Sequence, residues 1–122
     1  MATKTDTGGQ NVVIGWRAGN SMTSGEQNTF IGKDAGYNTT TGSHNVTVGS
    51  TARTGTTSSY GVMIGSGAGG YTDTGGYNTG IGYRTSRAIT SGQYNIGIGP
   101  ETLNDLTTVS YTHLTLPTRL LV

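Results

Sequence analysis

The chain is predicted to be an all-β protein, a β-solenoid or β-roll of about six stacked coils of 17 residues. Three observations favour this fold: a repeat of fixed period, glycine at 22 of the 122 positions, and no trace of the helical period. An aliphatic residue followed by glycine returns at a constant interval, except for one interval that is a single position shorter. The six pairs are Ile14-Gly15, Ile31-Gly32, Val48-Gly49, Ile64-Gly65, Ile81-Gly82 and Ile98-Gly99.

Each repeat is expected to contribute one short strand. The residue two positions before the aliphatic one is β-branched in every copy, and side chains two apart on a strand share a face. Both columns are therefore predicted to point inward, while the residues between them, which vary from glycine to phenylalanine, are predicted to point outward. The predicted structural core is Ile14, Ile31, Val48, Ile64, Ile81 and Ile98.

Two corners of the coil are predicted from glycine and asparagine. The glycine after the aliphatic residue is present in all six copies, which indicates a positive φ angle or a close backbone approach. Asparagine tolerates left-handed geometry and can bond its copies above and below, so a stacked amide ladder is expected at the other corner. Its members are Asn11, Asn28, Asn45, Asn78 and Asn95. Gly61 replaces asparagine in the fourth repeat, where the interval is also shorter, and a local defect is expected there.

The repeat divides the chain into three parts. Residues 1–7 form a polar N-terminal lead-in, residues 8–108 form the repeat domain, and residues 109–122 form a tail without repeat character. The tail is similar to the translated adapter read-through that ends truncated metagenomic reading frames, so it is expected not to be native. The alternative is a capping strand, which its alternation of leucine and threonine would support. We expect the natural protein to be longer, oligomeric, or both, because stacked coils expose strand edges at each end.

Composition and charge exclude several classes of function. The formal net charge is +1 without a basic cluster, so no nucleic-acid footprint is expected. The chain has no cysteine and no apolar run long enough to span a bilayer, so neither thiolate metal sites nor membrane insertion is expected. The first residues lack the apolar segment of a signal peptide. The acidic residues build no coil-spaced oxygen cage, so no metal site is predicted.

No catalytic or cofactor site is predicted, and the chain is not expected to be an enzyme. The segment 65–70 matches G-x-G-x-x-G but is interpreted as the fourth repeat with small residues in its variable positions. His44 could be combined with Asp34 or Asp73 and a serine, yet it occupies a column that glutamine and tyrosine fill in other repeats. Nothing singles out a nucleophile with an orienting base.

Two outward columns are candidates for binding. Tyr60, Tyr77 and Tyr94 share one column, where their rings could contact a glycan, pack along the ladder or form an interface between chains. Threonine recurs in another column, which suggests ice binding as an alternative: Thr23, Thr40, Thr57, Thr90 and Thr107.

Residues 8–108 resemble the Gly-x-x-Asn-x-x-Ile-Gly-x-x-Ala repeats of bacteriophage tail-fibre proteins. They are similar, more distantly, to the β-roll heads of trimeric autotransporter adhesins, whose repeats are shorter. The resemblance implies a structural fibre or shaft segment that trimerises, is located on a virion or outside the cell, and takes part in attachment to host cells, with a host-surface glycan as its partner. The alternative is a monomeric β-solenoid that binds ice or glycans through its threonine or tyrosine column.

Overall fold

A computed structural model describes residues 9–53, 55–69 and 75–104, together with the backbone of residues 113–115. Seven short strands pair in chain order in one parallel sheet, and the described residues contain no helix. The predicted all-β solenoid is therefore confirmed. The strands are β1 (Val12–Ile14), β2 (Thr29–Ile31), β3 (Val46–Val48), β4 (Val62–Ile64), β5 (Thr79–Ile81), β6 (Ile96–Ile98) and β7 (His113–Thr115).

Each strand lies near the start of one coil, and equivalent residues of successive coils lie above one another. The register joins Val12 to Thr29 and Ile14 to Ile31, and the same pairing continues from coil to coil. The repeat of the sequence is thus the repeat of the structure. Coils 1 to 5 span 10–26, 27–43, 44–59, 60–76 and 77–93 in that order, and coil 6 begins at Tyr94.

Hydrogen bonds between coils continue well beyond the strands. In the first coils, Thr29 N donates to Asn45 O at 2.8 Å and Gly19 N donates to Ala35 O at 2.9 Å. Tight turns complete the coil, as where Ala18 N donates to Gly15 O at 3.2 Å. Backbone groups in turns are thereby satisfied by the neighbouring coil as well as by the turn itself, which permits a glycine-rich chain to stay regular.

The predicted direction of the strand side chains is wrong. The middle residue of each of the strands β1 to β6 is buried, including Val13, Phe30 and Met63 at 5%, 0% and 1% exposure. The flanking residues are exposed or half-exposed, so the column predicted as the core lies outside. Of that column, Ile14, Ile31, Ile81 and Ile98 are 36–40% exposed, and Val48 and Ile64 are half-exposed.

The physical reason for this reversal is the narrowness of the coil. Only one side chain per strand fits inside, together with the small residues that follow it, among them Ala18, Ala35, Ala52 and Ala68 at 0–3% exposure. Where β5 and β6 carry glycine at their centre, Ser86 and Leu103 from later in the coil occupy the adjacent interior: Ser86 Oγ lies 2.8 Å from the place of a Cβ on Gly80, and Leu103 Cδ1 lies 2.7 Å from that on Gly97. The side chains of the inward column can vary in size because other residues of the same coil fill the interior space that a small side chain leaves.

The glycine that follows each strand permits close stacking of the coils. Gly32 has a φ angle of +128°, and a Cβ on it would lie 2.7 Å from the carbonyl oxygen of Gly49 in the next coil. A side chain would force these two backbones apart. This close approach explains why the sequence carries glycine at every copy of the position.

The coil that is one residue short lacks that residue between Arg53 and Thr56. Thr23 N donates to Thr40 O, a full repeat further along the chain, whereas Thr40 N donates to Thr56 O, one position short of a full repeat. Thr56 therefore belongs to the threonine column in place of Thr57, which corrects the alignment expected from the sequence. The strands on either side keep their register, since Val46 still pairs with Val62.

The backbone of β7 continues the sheet into the segment predicted to lack repeat character. Ile96 pairs with His113 and Ile98 with Thr115, again at the spacing of a full repeat. This pairing agrees with the capping-strand alternative for these three residues. The other residues of the tail lie outside the described part of the chain, as do residues 1–7, and the non-native origin of the tail remains a prediction.

Candidate functional site

The asparagine column forms a buried ladder of side-chain amides at one corner. Asn28 and Asn45 are 1% and 0% exposed. The Asn28 Nδ2 group donates to Gly42 O at 2.9 Å, while its Oδ1 atom accepts a 2.9 Å bond from Asn45 N. Each amide thus joins its own coil to the next. Equivalent bonds involve Asn11, Asn45, Asn78 and Asn95.

The left-handed residue at this corner is the one before asparagine. Gln27 has a φ angle of 57°, and Tyr77 and Tyr94 have angles of 62° and 60°. The asparagines themselves do not have positive φ angles. Asparagine is therefore used here for its side-chain amide, and the backbone strain is carried by a residue whose side chain projects outward.

The outward side chains at this corner include a continuous stack of four rings. His44 stacks on Tyr60 with 4.8 Å between ring centroids, and Tyr60–Tyr77 and Tyr77–Tyr94 follow at 4.9 Å. The planes are within 13° of parallel. The faces of the inner rings lie against neighbouring rings, so the column offers mainly ring edges and hydroxyl groups to a ligand. Stacking on a sugar requires an exposed ring face, which is available only at the ends of the stack.

The threonine column is tied to the backbone of the neighbouring coil. The hydroxyl of Thr23 donates to Thr40 O at 3.2 Å, and that of Thr40 donates to Thr56 O at 2.9 Å. These hydroxyl protons are used within the protein. Asp73 and Thr107, which would continue the column, lie outside the described residues. Within the described range the column is a structural ladder, which does not favour ice binding.

The outer face of the sheet is an apolar stripe that follows the whole stack. We call the flanking residues of β1 to β6 the sheet stripe; ten of these twelve residues are valine or isoleucine and the other two are threonine. None is charged. The most exposed members are 36–48% exposed: Val12, Ile14, Ile31, Ile81, Ile96 and Ile98.

Charged and aromatic side chains meet on coils 1 and 2. Arg17 Nε donates to Asp34 Oδ1 at 2.7 Å, and the Arg17 guanidinium lies 4.2 Å from the ring centre of Trp16. Lys33 also lies over Trp16, at 5.4 Å. The bond from Arg17 holds the pKa of Asp34 below its usual range, against the opposing effect of burial. This cluster is a local structural unit that fixes one buried carboxylate.

The described residues bring together no group of three or more histidine, cysteine or acidic side chains that could hold a metal ion. His44 lies in the ring stack, beside Tyr60, and the side chain of His113 is outside the described part. The G-x-G-x-x-G segment follows β4 as a turn, and no helix begins within its described residues 65–69. A search of the described residues also finds no helix able to cross a membrane.

No protein-family profile, curated protein or solved structure matches the chain. The class that the geometry defines is a β-solenoid with a thin core, and the candidate surfaces are the sheet stripe, the ring stack and the threonine ladder. Sequence reasoning assigned the residues of the sheet stripe to the core. Neither the flanking columns nor the middle column carries a charged residue, so the residue types of the strands contain no signal that separates the two directions.

Proposed function

We propose that this chain is a structural shaft segment of a fibre that is assembled from several copies and takes part in attachment to host cells, as in a phage tail fibre or a surface adhesin. The observation that carries the proposal is the sheet stripe. An uncharged aliphatic face that runs the length of a narrow rod is the kind of surface that associates away from water.

A second copy of the chain is the partner that best fits the stripe. The stripe repeats once per coil, at a strand spacing of about 4.8 Å. A surface with the same spacing can place a side chain against every coil, whereas a globular partner would match only part of the stripe. Another rod of identical repeat satisfies this condition along the whole stack, and three such rods would close around a common apolar axis.

The interior of the rod supports the same proposal. The largest fully buried side chains are Phe30, Met63 and Ile89, and many of the other fully buried side chains are asparagine, threonine or serine. A core with so little aliphatic area stabilises an isolated small domain weakly. Burial of the stripe between copies would supply apolar contact that the coil interior lacks.

The alternative is a self-sufficient solenoid that binds ice or glycans through a threonine or tyrosine column. The hydroxyls of Thr23 and Thr40 donate to backbone carbonyls, and the inner tyrosine rings cover one another. Both arrangements favour a structural role for these columns. Contact with a glycan would then involve the ring edges, the tyrosine hydroxyls or the end of the stack.

The solution mass of the full chain tests the proposal. A trimer is expected by sedimentation equilibrium, at about three times the 12.6 kDa of one chain. Ile31→Asp combined with Ile81→Asp places charges on the stripe in coils 2 and 5 and is expected to yield a folded monomer. The matched control, Thr41→Asp with Ser91→Asp, places the same charges on exposed turns of the same coils. A monomeric wild-type chain at high concentration would contradict the proposal.

A further inference from the structure

Coil 4 carries small residues where its neighbours carry large ones, and this difference creates a cavity on the surface of the rod. Ser66, Gly67 and Gly69 line it from coil 4, and residues of coils 3 and 5 line it on either side. The cavity has a volume of about 160 Å³. Since one water molecule takes up about 30 Å³ in the liquid, a polyatomic group fits with waters to spare.

Arginine dominates the wall of this cavity. Arg53 reaches it from coil 3, and Arg84 and Arg87 reach it from coil 5, beside the ring of Tyr83. Three of the chain's seven lysine and arginine residues thus meet at one place on a protein whose net charge is +1. The guanidinium group presents a planar set of donors that matches carboxylate, sulfate and phosphate oxygens.

Elsewhere in the rod, an arginine at the position equivalent to Arg84 binds an oxyanion, the carboxylate of Asp34. Arg17 and Asp34 occupy equivalent positions of adjacent coils, a full repeat apart, and they form an ion pair. Arg84 and Glu101 have the same spacing, yet within the described residues they form no ion pair. The Arg84 side chain instead lies towards coil 4, with its Cγ atom 3.3 Å from the place of a Cβ on Gly67. Arg84 therefore lines the cavity.

We propose that this cavity, between coils 3 and 5, is a binding site for a tetrahedral oxyanion, sulfate or phosphate, free or as an ester on a larger molecule. Arg84 and Arg87 bind the anion from one side and Arg53 from the other, and glycine at position 67 leaves the space that the anion occupies. The site is independent of the sheet stripe and of the proposed assembly into a fibre.

The test is a titration of the full chain with sodium sulfate, against sodium chloride at equal ionic strength, followed by the amide resonances of Gly67 and Gly69. Saturable shifts with sulfate and none with chloride are expected. Equal shifts with both salts, or shifts that never saturate, would overturn the proposal, because general screening acts alike at equal ionic strength. Phosphate serves as a second probe of the same chemistry.

Binding of galactose 6-sulfate, compared with that of free sulfate and of galactose, distinguishes a sulfate ester from the free ion as the ligand. Tighter binding of the sulfate ester than of free sulfate would identify a sulfated saccharide as the ligand, and equal binding would identify the ion itself. Galactose alone is expected not to bind. Binding of galactose with the affinity of its sulfate ester would overturn the proposal, since the arginines would then contribute nothing.

Two variants test the residues. Arg84→Gln is expected to weaken sulfate binding about tenfold or more, because a charge-assisted contact is lost. Lys33→Gln removes the same charge from coil 2, away from the cavity, and is expected to leave binding within twofold. An equal loss of sulfate affinity in the two variants would show that the effect arises from net charge alone, and it would overturn the assignment of Arg84 to the site.

Gly67→Asp provides a test that does not remove an arginine. The equivalent position in coil 2 is Asp34, with a φ angle of 58° against 68° at Gly67, so the backbone accepts aspartate there. The new carboxylate is expected to occupy the site and abolish sulfate binding while the circular dichroism spectrum stays that of the wild type. Unchanged sulfate affinity in this folded variant would overturn the proposal.

Discussion

The ring of Phe30 occupies the space in which a side chain of Gly36 would stand. A Cβ on Gly36 would lie 2.6 Å from Cδ2 of the ring, and the ring itself is fully buried. The relationship is reversed in coil 6, where a Cβ on Gly97 would lie 2.7 Å from Cδ1 of Leu103. Two positions six residues apart therefore share one interior volume, and either of them can fill it.

Exchange of the two side chains tests this relationship. Phe30→Gly alone should destabilise the protein by about 3–5 kcal/mol or more, because it leaves a cavity. Gly36→Leu alone should also destabilise it, because the leucine meets the ring. The double variant reproduces the Gly97–Leu103 arrangement, in which Leu103 adopts a φ angle of 57°. Urea unfolding should show the double variant to be more stable than either single one. Additive losses would contradict a shared volume.

The direction of the side chains of β2 can be tested with two variants, each of which places one aspartate at one of two adjacent positions. Phe30→Asp buries an unpaired carboxylate and should abolish the folded state. Ile31→Asp places the charge on a side chain that is 37% exposed and should lower the stability of the single chain by less than about 1 kcal/mol. Far-ultraviolet circular dichroism of dilute samples distinguishes the two. Loss of structure in Ile31→Asp, with Phe30→Asp folded, would restore the inward direction expected from the sequence.

The asparagine ladder has a gap at Gly61, and filling it should stabilise the rod. Asn78 Nδ2 now donates both to Gly92 O, at 2.7 Å, and to Gly75 O, at 3.1 Å. The second carbonyl, Gly75 O, lies 14 residues after Gly61, just as Gly42 O lies 14 residues after Asn28, whose side chain donates to it. Asparagine at position 61 should take over the bond to Gly75 and add about 1 kcal/mol to the free energy of unfolding.

The matched control for this prediction is Asn45→Ala. It leaves Ser58 O and Gly61 N without their side-chain partners and should cost about 2–4 kcal/mol. Both changes can be read from the midpoint of urea unfolding. A destabilising Gly61→Asn together with a neutral Asn45→Ala would show that the ladder contributes nothing to stability.

Asp34 should make the stability of the rod depend on acid pH. Its pKa is lower in the folded chain than in the unfolded chain, because Arg17 donates a hydrogen bond to it. The corresponding stability is complete above the unfolded pKa of about 3.9 and is lost as the pH falls through the lower, folded pKa. Asp34→Asn should therefore reduce the stability difference between pH 7 and acid. An equal stability difference in the wild type and in Asp34→Asn would contradict this prediction.

The period, the all-β class and the glycine corner could be predicted from the sequence because each depends on a single column. Gly32, for example, is required by one contact with the coil above it. The direction of the strand side chains could not be predicted in this way. A strand such as Val12-Val13-Ile14 can place either set of side chains inward, and the choice depends on Gly19, which leaves room for Val13.

The anion site was also beyond the reach of sequence reasoning. Arg53, Gly67 and Arg84 belong to three different coils and do not form a motif along the chain. Their proximity depends on the stacking of coils and on the place of the missing residue in coil 3. The sequence indicated that one coil is short, but only the hydrogen bonds of Thr40 and Thr56 place the omission between Arg53 and Thr56.

The omission of one residue between Arg53 and Thr56 also bears on how such a protein changes during evolution. The strands on either side of it, β3 and β4, remain paired in the common register. Single-residue insertions and deletions can therefore accumulate in the turns without shifting a strand. Recombination between near-identical repeats would add or remove whole coils, so a lineage could lengthen or shorten its rod in steps of about 4.8 Å. The length of the rod would then evolve separately from the surface chemistry of any one coil.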